Sequence, residues 1–382
     1  MGRIKNILVI SPEYPYQGEP VYTFVQNLCN EFTRKGCNVI VIATQSITSA
    51  IKHHKIIKPR VRYELVGNNK ITIYQPYTIT FPYKYWKLYN FMTRLVATRF
   101  IKSLPIKPDV CYCHFWRSAY VILPYIQKSH IPLFVATGEG ALSKKFAELS
   151  SPEYLQINHF LNGAISVSTN NKNISKEIGL LTGKDCIVLP NAIDQNIFYK
   201  KDRVALRAKY NYSKDDFIVA FVGSFNERKG SLRVSNAINR VGDIKSFFIG
   251  GQRESELADP MCSGILYKGE MEHGLIPDYL NMADIFVLPT LNEGCCNAIV
   301  EALACGLPIV SSDRPFNFDV LNGTNSILVN PMDIEAIANA ISELKNNPIR
   351  RKQLSEGALR TAKELTINRR AQKILDFMEQ HI

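Results

Sequence analysis

No apolar run in this chain of 382 residues approaches the ~18 needed to span a bilayer, so a membrane-crossing helix is not expected. The opening Met-Gly-Arg-Ile-Lys-Asn moves straight into a short apolar strand, too brief for a signal-peptide core, and Asn6 spoils the myristoylation pattern. A cytoplasmic location is therefore expected, with a peripheral place on the inner face of the plasma membrane left open. Zinc-type Cys-x-x-Cys pairs are missing. The nine cysteines, an odd number, include Cys295-Cys296 and Cys111-Tyr-Cys113 in apolar surroundings, which reads as reduced core or rim residues and not as a disulfide framework or metal site. No Asp-x-Asp motif occurs, so a bound divalent metal is not indicated, and internal repeats and low-complexity tracts are absent as well.

Acidic residues are scarce in the first half only. Residues 1–190 carry 23 Lys+Arg against 10 Asp+Glu, whereas residues 191–382 carry 23 against 24, so the net charge of +12 belongs entirely to the first half. The cations crowd between Lys52 and Lys107 and interleave with Phe81, Tyr83, Tyr85, Trp86, Tyr89 and Phe91. Such a mixture suits an anionic membrane surface, with Lys84, Lys87 and Arg94 as the expected contact. A solvated surface over ordinary core aromatics explains it equally well. A nucleic-acid partner is not expected, because no recognised nucleic-acid module is present.

At this length, with 46% hydrophobic residues, the chain exceeds what one core usually supports. A strand–helix rhythm repeats in both halves and predicts an α/β fold of two doubly wound parallel sheets. Strands are expected at residues 7–10, 39–43, 71–74, 110–113, 133–136 and 164–168, then at 218–223, 246–250, 265–268, 284–288, 308–311 and 326–329. The boundaries follow: a first domain over residues 1–190, a second over 191–365 with a hinge near 189–198, and a terminal amphipathic helix over 366–382 whose Ile374, Leu375, Phe377 and Met378 need a surface.

The densest chemistry lies at residues 283–312, ADIFVLPTLNEGCCNAIVEALACGLPIVSS. A buried strand closed by Pro289 is followed by a helix from Asn297 to Cys305, stopped by Gly306 and Pro308. Glu293 falls in the turn before that helix and Glu301 inside it. If one helix ran through both positions, they would stand about 80° apart around its axis. In an open parallel sheet, ligands bind beyond the carboxyl ends of the strands, where helix N-termini offer N–H groups to anions. Lys229, just before a helix expected at Ser231, can add a point charge there.

The pattern Glu-Gly-x-x-x-x-x-x-Glu, followed by Ala-x-Ala-Cys-Gly-x-Pro-Ile-Val, resembles the signature of the family 4 retaining glycosyltransferases of the GT-B fold, in the glycosyl transferases group 1. The likeness runs in order through ILVISPEYPY at residues 7–16, Pro190-Asn191-Ala192-Ile193-Asp194 with Phe198, and AFVGSFNERKG at residues 220–230. It implies two Rossmann-like domains facing across a cleft, the first for the acceptor and the second for the nucleotide sugar, with the terminal helix returning to the first. It further implies donor contacts from Gly18, Ser224, Arg228, Lys229, Glu293, Gly294, Cys295, Cys296, Asn297 and Glu301. Lys229 would take the diphosphate, Glu301 the ribose hydroxyls and Glu293 the sugar hydroxyls. Catalytic roles would fall to Glu293, Lys229 and His114, the last matching a family His that faces the donor sugar.

Three departures bear on this. Ser224 stands where the family usually has Arg, and Arg228 is a candidate substitute. Glu19 and Pro20 follow Gly18 where a second glycine is common. Glu139, in Thr137-Gly138-Glu139-Gly140, replaces a common His and could alter the sugar or acceptor pocket. The resemblance implies retaining transfer from a nucleotide sugar, a UDP-sugar foremost, with no further cofactor. The acceptor expected is a lipid-linked or other glycan in cell-surface polysaccharide synthesis. Alternatives are a soluble GT-B synthase or phosphorylase acting on free sugars and a non-catalytic sugar-nucleotide-binding protein.

Overall fold

The computed structural model describes residues 3–17, 21–79, 81, 85–139, 146–252 and 258–382. It forms two compact units, one of Met1–Leu189 with Ile367–Ile382 and one of Pro190–Thr366.

The first unit is built on β1 (Asn6–Ile10), β2 (Asn38–Ile42), the short β3 (Gln45–Ser46), β4 (Val61–Val66), β5 (Asn69–Tyr74), the short β6 (Tyr77–Thr78), β7 (Val110–His114), β8 (Leu133–Thr137), β9 (Leu161–Ser166) and β10 (Cys186–Val188). Eight of these form one sheet in the order β10-β9-β8-β7-β1-β2-β5-β4, and β3 pairs β6 apart from it. Its central strands are continuous apolar runs because both faces are covered. Successive residues point to opposite sides, so Leu8, Ile40, Cys111 and Leu133 join one core, while Val9, Val41, Tyr112 and Phe134 join the other. Ile374, Leu375, Phe377 and Met378 of the helix Ile367–Gln380 fill that second core, the surface their spacing required.

All pairings in the main sheet are parallel except β4 with β5. Sequence reading missed β4. It is an edge strand whose alternation runs opposite to the usual one, with Val61, Tyr63 and Leu65 exposed and Arg62 and Glu64 half-buried. The two-residue Gly67-Asn68 turn between β4 and β5, with Gly67 at φ 59°, was the hairpin signal available.

The second unit holds a fully parallel sheet in the order β13-β12-β11-β14-β15-β16, from β11 (Ile218–Val222), β12 (Lys245–Ile249), β13 (Ile265–Gly269), β14 (Ile285–Leu288), β15 (Ile309–Ser312) and β16 (Ser326–Val329). Chain order reverses between β11 and β14, which makes their carboxyl ends a topological switch point, the usual ligand position in such sheets. No described helix is long and apolar enough to cross a membrane. All nine cysteines are free thiols, seven of them buried.

Candidate active site

Two loops meet at the switch point. The first leaves β11 and reaches the helix Ser231–Val241 through Gly230, whose φ of 80° is a left-handed conformation that suits glycine. Beside it, Gly250 admits no side chain, since a Cβ there would lie 2.1 Å from the Gly223 carbonyl oxygen. Asn226 folds this loop back on itself, its Oδ1 accepting from Lys229 N at 2.8 Å and its carbonyl from Gly230 N at 3.0 Å. The second loop follows β14, and Leu291 N donates to Arg228 O at 2.8 Å, tying the two together.

The charged side chains converge on one oxygen. Glu293 Oε1 accepts from Lys229 Nζ at 2.6 Å, Arg228 Nη1 at 2.6 Å and Thr290 Oγ1 at 2.8 Å. Arg228 also donates to Asn292 O at 2.9 Å, and Lys229 Nζ lies 3.6 Å from Cys296 Sγ. Burial pushes the Glu293 carboxyl up, but the Lys229 and Arg228 charges outweigh it and hold the group below the usual carboxylate range. Burial likewise disfavours the Lys229 ammonium, yet the neighbouring Cys296 and Glu293 groups leave it above its ordinary value. The pair is therefore charged at neutral pH. Ser224 is half-buried at the start of the same loop.

The two helices at this rim have no side-chain cap: Gly230 and Cys296 occupy those positions without a capping hydrogen bond. Elsewhere in the unit, Asp202, Asp333 and Asn347 cap their helices with side-chain oxygens. With no oxygen cap from these positions among the described residues, the dipoles of the rim helices favour an anion.

The helix spans Asn297–Ala304 and starts at the residue expected, with Cys296 before it extended at φ −81°, ψ 115°. Glu293 therefore lies outside it and the conditional 80° relation does not apply, while the Cys295 carbonyl ahead of the helix is held from elsewhere in the unit. Asn191 does the holding, donating from Nδ2 to Cys295 O at 2.9 Å and to Asn297 Oδ1 at 2.7 Å, while its backbone N–H reaches Cys295 Sγ at 3.4 Å. Gly294, Cys295 and Cys296 are accordingly buried and Asn297 exposed. Glu301, one turn into the helix, faces His273 Nε2 at 3.6 Å. The contact with Glu301 raises the His273 pKa against the opposing effect of burial, and Phe198 packs edge-on to the imidazole with centroids 5.3 Å apart. Asn191, Thr290 and His273 were missed as site residues. Their partners lie 106, 3 and 28 positions away in sequence; Asn191 and Thr290 sat in segments already noticed, and His273 did not.

In the first unit, His114 ends β7 and is buried among Phe115, Phe24 and Tyr22, with ring centroids 4.3, 5.0 and 6.2 Å away. Its Nδ1 has no hydrogen-bond partner among the described residues. Burial first, and the Arg370 charge second, lower its pKa to about 3, so the imidazole is neutral. Phe115 beside it holds φ 72°, a strained conformation for a bulky residue of the kind that gathers at functional sites.

Glu139 is engaged within the first unit. Its Oε1 accepts from Trp116 N and its Oε2 from Thr137 Oγ1 and Gly138 N, each at 3.1 Å, which caps the helix Trp116–Ser129. Arg117 is also engaged, donating to Asn90 Oδ1 at 3.0 Å and lying over the Tyr89 ring. Of the expected membrane contacts, Arg94 turns inward to Tyr120 O at 3.1 Å and Lys87 pairs with Glu153 at 2.9 Å. Gly18, Glu19, Pro20, Tyr83, Lys84 and Gly140 lie outside the described residues.

Known proteins share this architecture and part of this sequence. Residues 216–347 match the family model described as Glycosyl transferases group 1. A Bacillus subtilis (strain 168) protein, provisionally named teichuronic acid biosynthesis glycosyltransferase TuaC, is 24% identical over 365 residues, 93% of each chain. Among solved structures, sucrose-phosphate synthase of Thermosynechococcus elongatus superposes with a TM-score of 0.79 at 18% identity, covering 98% of each chain. Anabaena HepE in complex with UDP does so with a TM-score of 0.74 at 15% identity, covering 99% of this chain and all of that one. The fold is GT-B, as in these structural neighbours.

Proposed function

We propose that this chain, whose second unit carries a glycosyl transferases group 1 domain, moves a sugar from a UDP-sugar to a glycan acceptor of the cell envelope with retention of anomeric configuration. The observation that carries the reading is the convergence of Lys229 and Arg228 on Glu293, between two uncapped helix N-termini. A diphosphate leaving group needs cations and oriented N–H donors, and both are fixed here before a ligand arrives. Arg228 would supply the charge that Ser224 lacks. Glu293 would hold the two cations through Oε1 and turn its other oxygen to a hydroxyl of the sugar. Glu301, with two carboxylate oxygens and one imidazole neighbour, suits the paired hydroxyls of a ribose. The leaving diphosphate would then be stabilised by protein charge in place of a divalent cation. UDP in the HepE structure and the name of TuaC support the donor class and the envelope-polymer setting respectively. In the first unit, neutral His114 would serve as an uncharged hydrogen-bonding group.

The test is incubation with a panel of UDP-sugars and envelope-glycan acceptors, with the anomeric configuration of the product read by NMR. An inverted product would remove the retaining step, and an absence of turnover with every UDP-sugar would remove the reading.

A lipid-linked acceptor is part of the proposal, and one surface favours it. Ile51, Ile56 and Ile57 are exposed on the helix Ile47–Lys52 and the loop after it, interleaved with exposed Lys52, Lys55 and Arg60. This segment, and not Lys87 with Arg94, would meet an anionic bilayer. At about 1 kcal/mol for each cation near such a surface, replacing all three by Glu should abolish sedimentation with phosphatidylglycerol vesicles. Wild-type protein that stays unbound at low salt would contradict it.

A further inference from the structure

The second unit contains another cavity that the donor reading leaves unused. About 540 Å³ in volume, it is lined by Asp284 before β14 and by Leu307 and Pro308 before β15. It therefore opens at the amino ends of these strands, the far end of the sheet from Glu293.

Its charge is unbalanced. Lys200, Lys201, Arg203, Arg351 and Lys352 line it, against Asp202 and Asp284. Asp284 is already shared, pairing with Arg203 through one oxygen and with Arg207 at 2.9 Å through the other, which also accepts from Ile218 N. Lys201 is met by Asp278 at 2.7 Å, a carboxylate that serves Lys209 too. Asp202 is spent on the backbone N–H groups of Val204 and Ala205. Lys200, Arg351 and Lys352 consequently have no carboxylate partner among the described residues. Arg351 is anchored, donating from Nη1 to both Leu344 O and Lys345 O, so its guanidinium is fixed in place. Burial and the nearby Arg203 charge both work against its protonated form, with Asp284 opposing them.

The frame is rigid. The Gly306 turn, at φ 76°, has the Lys200 stem packed over it, since a Cβ on Gly306 would lie 3.3 Å from Lys200 Cδ. Ser355 Oγ donates to Gly306 O at 2.6 Å from the helix that also carries Arg351 and Lys352. Cations on two segments that converge over the Gly306 turn focus a positive potential on one spot.

We propose that this cavity is a second anion site, which takes the phosphate or diphosphate group of a small metabolite between Lys200, Arg351 and Lys352. It goes beyond the donor reading and does not rest on it. A phosphoryl group would give the three cations the counter-charge that the protein withholds, through charge-assisted hydrogen bonds.

Pyrophosphate is the probe, titrated calorimetrically into the wild type, Lys200→Ala/Lys352→Ala and Lys229→Ala. The expected result is two sites: one whose affinity falls at least tenfold in Lys200→Ala/Lys352→Ala and is unchanged in Lys229→Ala, and a second, the donor site, weakened in Lys229→Ala alone. Both replaced lysines are exposed, and an unchanged thermal midpoint confirms that the double variant folds. Pyrophosphate binding that Lys200→Ala/Lys352→Ala leaves intact at every site, or that only Lys229→Ala weakens, overturns the proposal. Loss in the double variant together with an inert Lys229→Ala would sustain this site while counting against the donor site.

Discussion

Replacing Glu293 by Gln keeps the side chain's shape and removes its charge, leaving Lys229 and Arg228 without their shared counter-ion. The two cations differ in environment: the Lys229 side chain is 13% exposed and that of Arg228 44%. Stripping a buried cation of its partner costs about 3–5 kcal/mol, whereas solvent screens the Arg228 contact to under ~1 kcal/mol. Lys229 keeps some access to water, so a destabilisation of about 3 kcal/mol is expected. UDP should recover it, because its diphosphate supplies the missing charge. In urea unfolding, saturating UDP should then stabilise Glu293→Gln more than it stabilises the wild type. Transfer should nevertheless fall about 10²–10³-fold, corresponding to about 2.7–4 kcal/mol of lost transition-state stabilisation, since the carboxylate that orients the sugar is gone. A Glu293→Gln protein that is as stable as wild type, or that binds UDP more than tenfold weaker, would refute the reasoning.

Three further outcomes follow from the same geometry. Glu301→Ala should weaken UDP by about 10–100-fold, as expected for charged hydrogen bonds of about 1.5–3 kcal/mol; calorimetry showing the same UDP affinity as Glu293→Gln would remove the division of labour between the two carboxylates. Arg228→Ala should raise the UDP dissociation constant about tenfold, the effect of a half-exposed charged contact, and Ser224→Arg in that background should restore part of it; unchanged affinity in Arg228→Ala would show that Arg228 does not replace the missing arginine. His114 has a pKa lowered from 6.5 to about 3, so between those values the unfolded chain binds the extra proton and stability drops as the pH drops. Its contribution is complete above about pH 6.5, and taking the protein from there to pH 5 should cost the wild type about 2 kcal/mol more than His114→Phe in urea unfolding; equal losses would place His114 in contact with water.

Sequence reading reached the strands buried on both faces, because a continuous apolar run such as residues 285–288 has few other uses. It did not reach β4, where one-sided packing leaves Arg62 and Glu64 alternating with exposed Tyr63 and Leu65. Lys229, Glu293 and Glu301 stood out because charged residues at the carboxyl ends of parallel strands need a reason to be there. The helix start at Asn297 was legible as well, but the mutual geometry was not: Glu293 meets Lys229 and Arg228 from a loop more than sixty residues earlier, and Asn191, more than a hundred residues earlier, holds the Cys295 carbonyl. The use of Glu139 as a cap on Trp116 N likewise depends on β7 and β8 lying side by side, a pairing that local pattern does not specify. Arg94 was misjudged for the same reason, since its inward turn follows from the packing of the helix Trp86–Lys102 against Tyr120.

The central claim is that Lys229 holds the diphosphate of a UDP-sugar at the switch point of the second unit. Calorimetric titration of UDP into the wild type and into Lys229→Ala tests it most directly. One UDP per wild-type chain, with affinity lost by about 10–150-fold in the variant as for removal of a charged hydrogen bond of about 1.5–3 kcal/mol, is the predicted result. Wild-type protein that binds no UDP, or a Lys229→Ala protein that binds it as tightly as the wild type, would contradict the account.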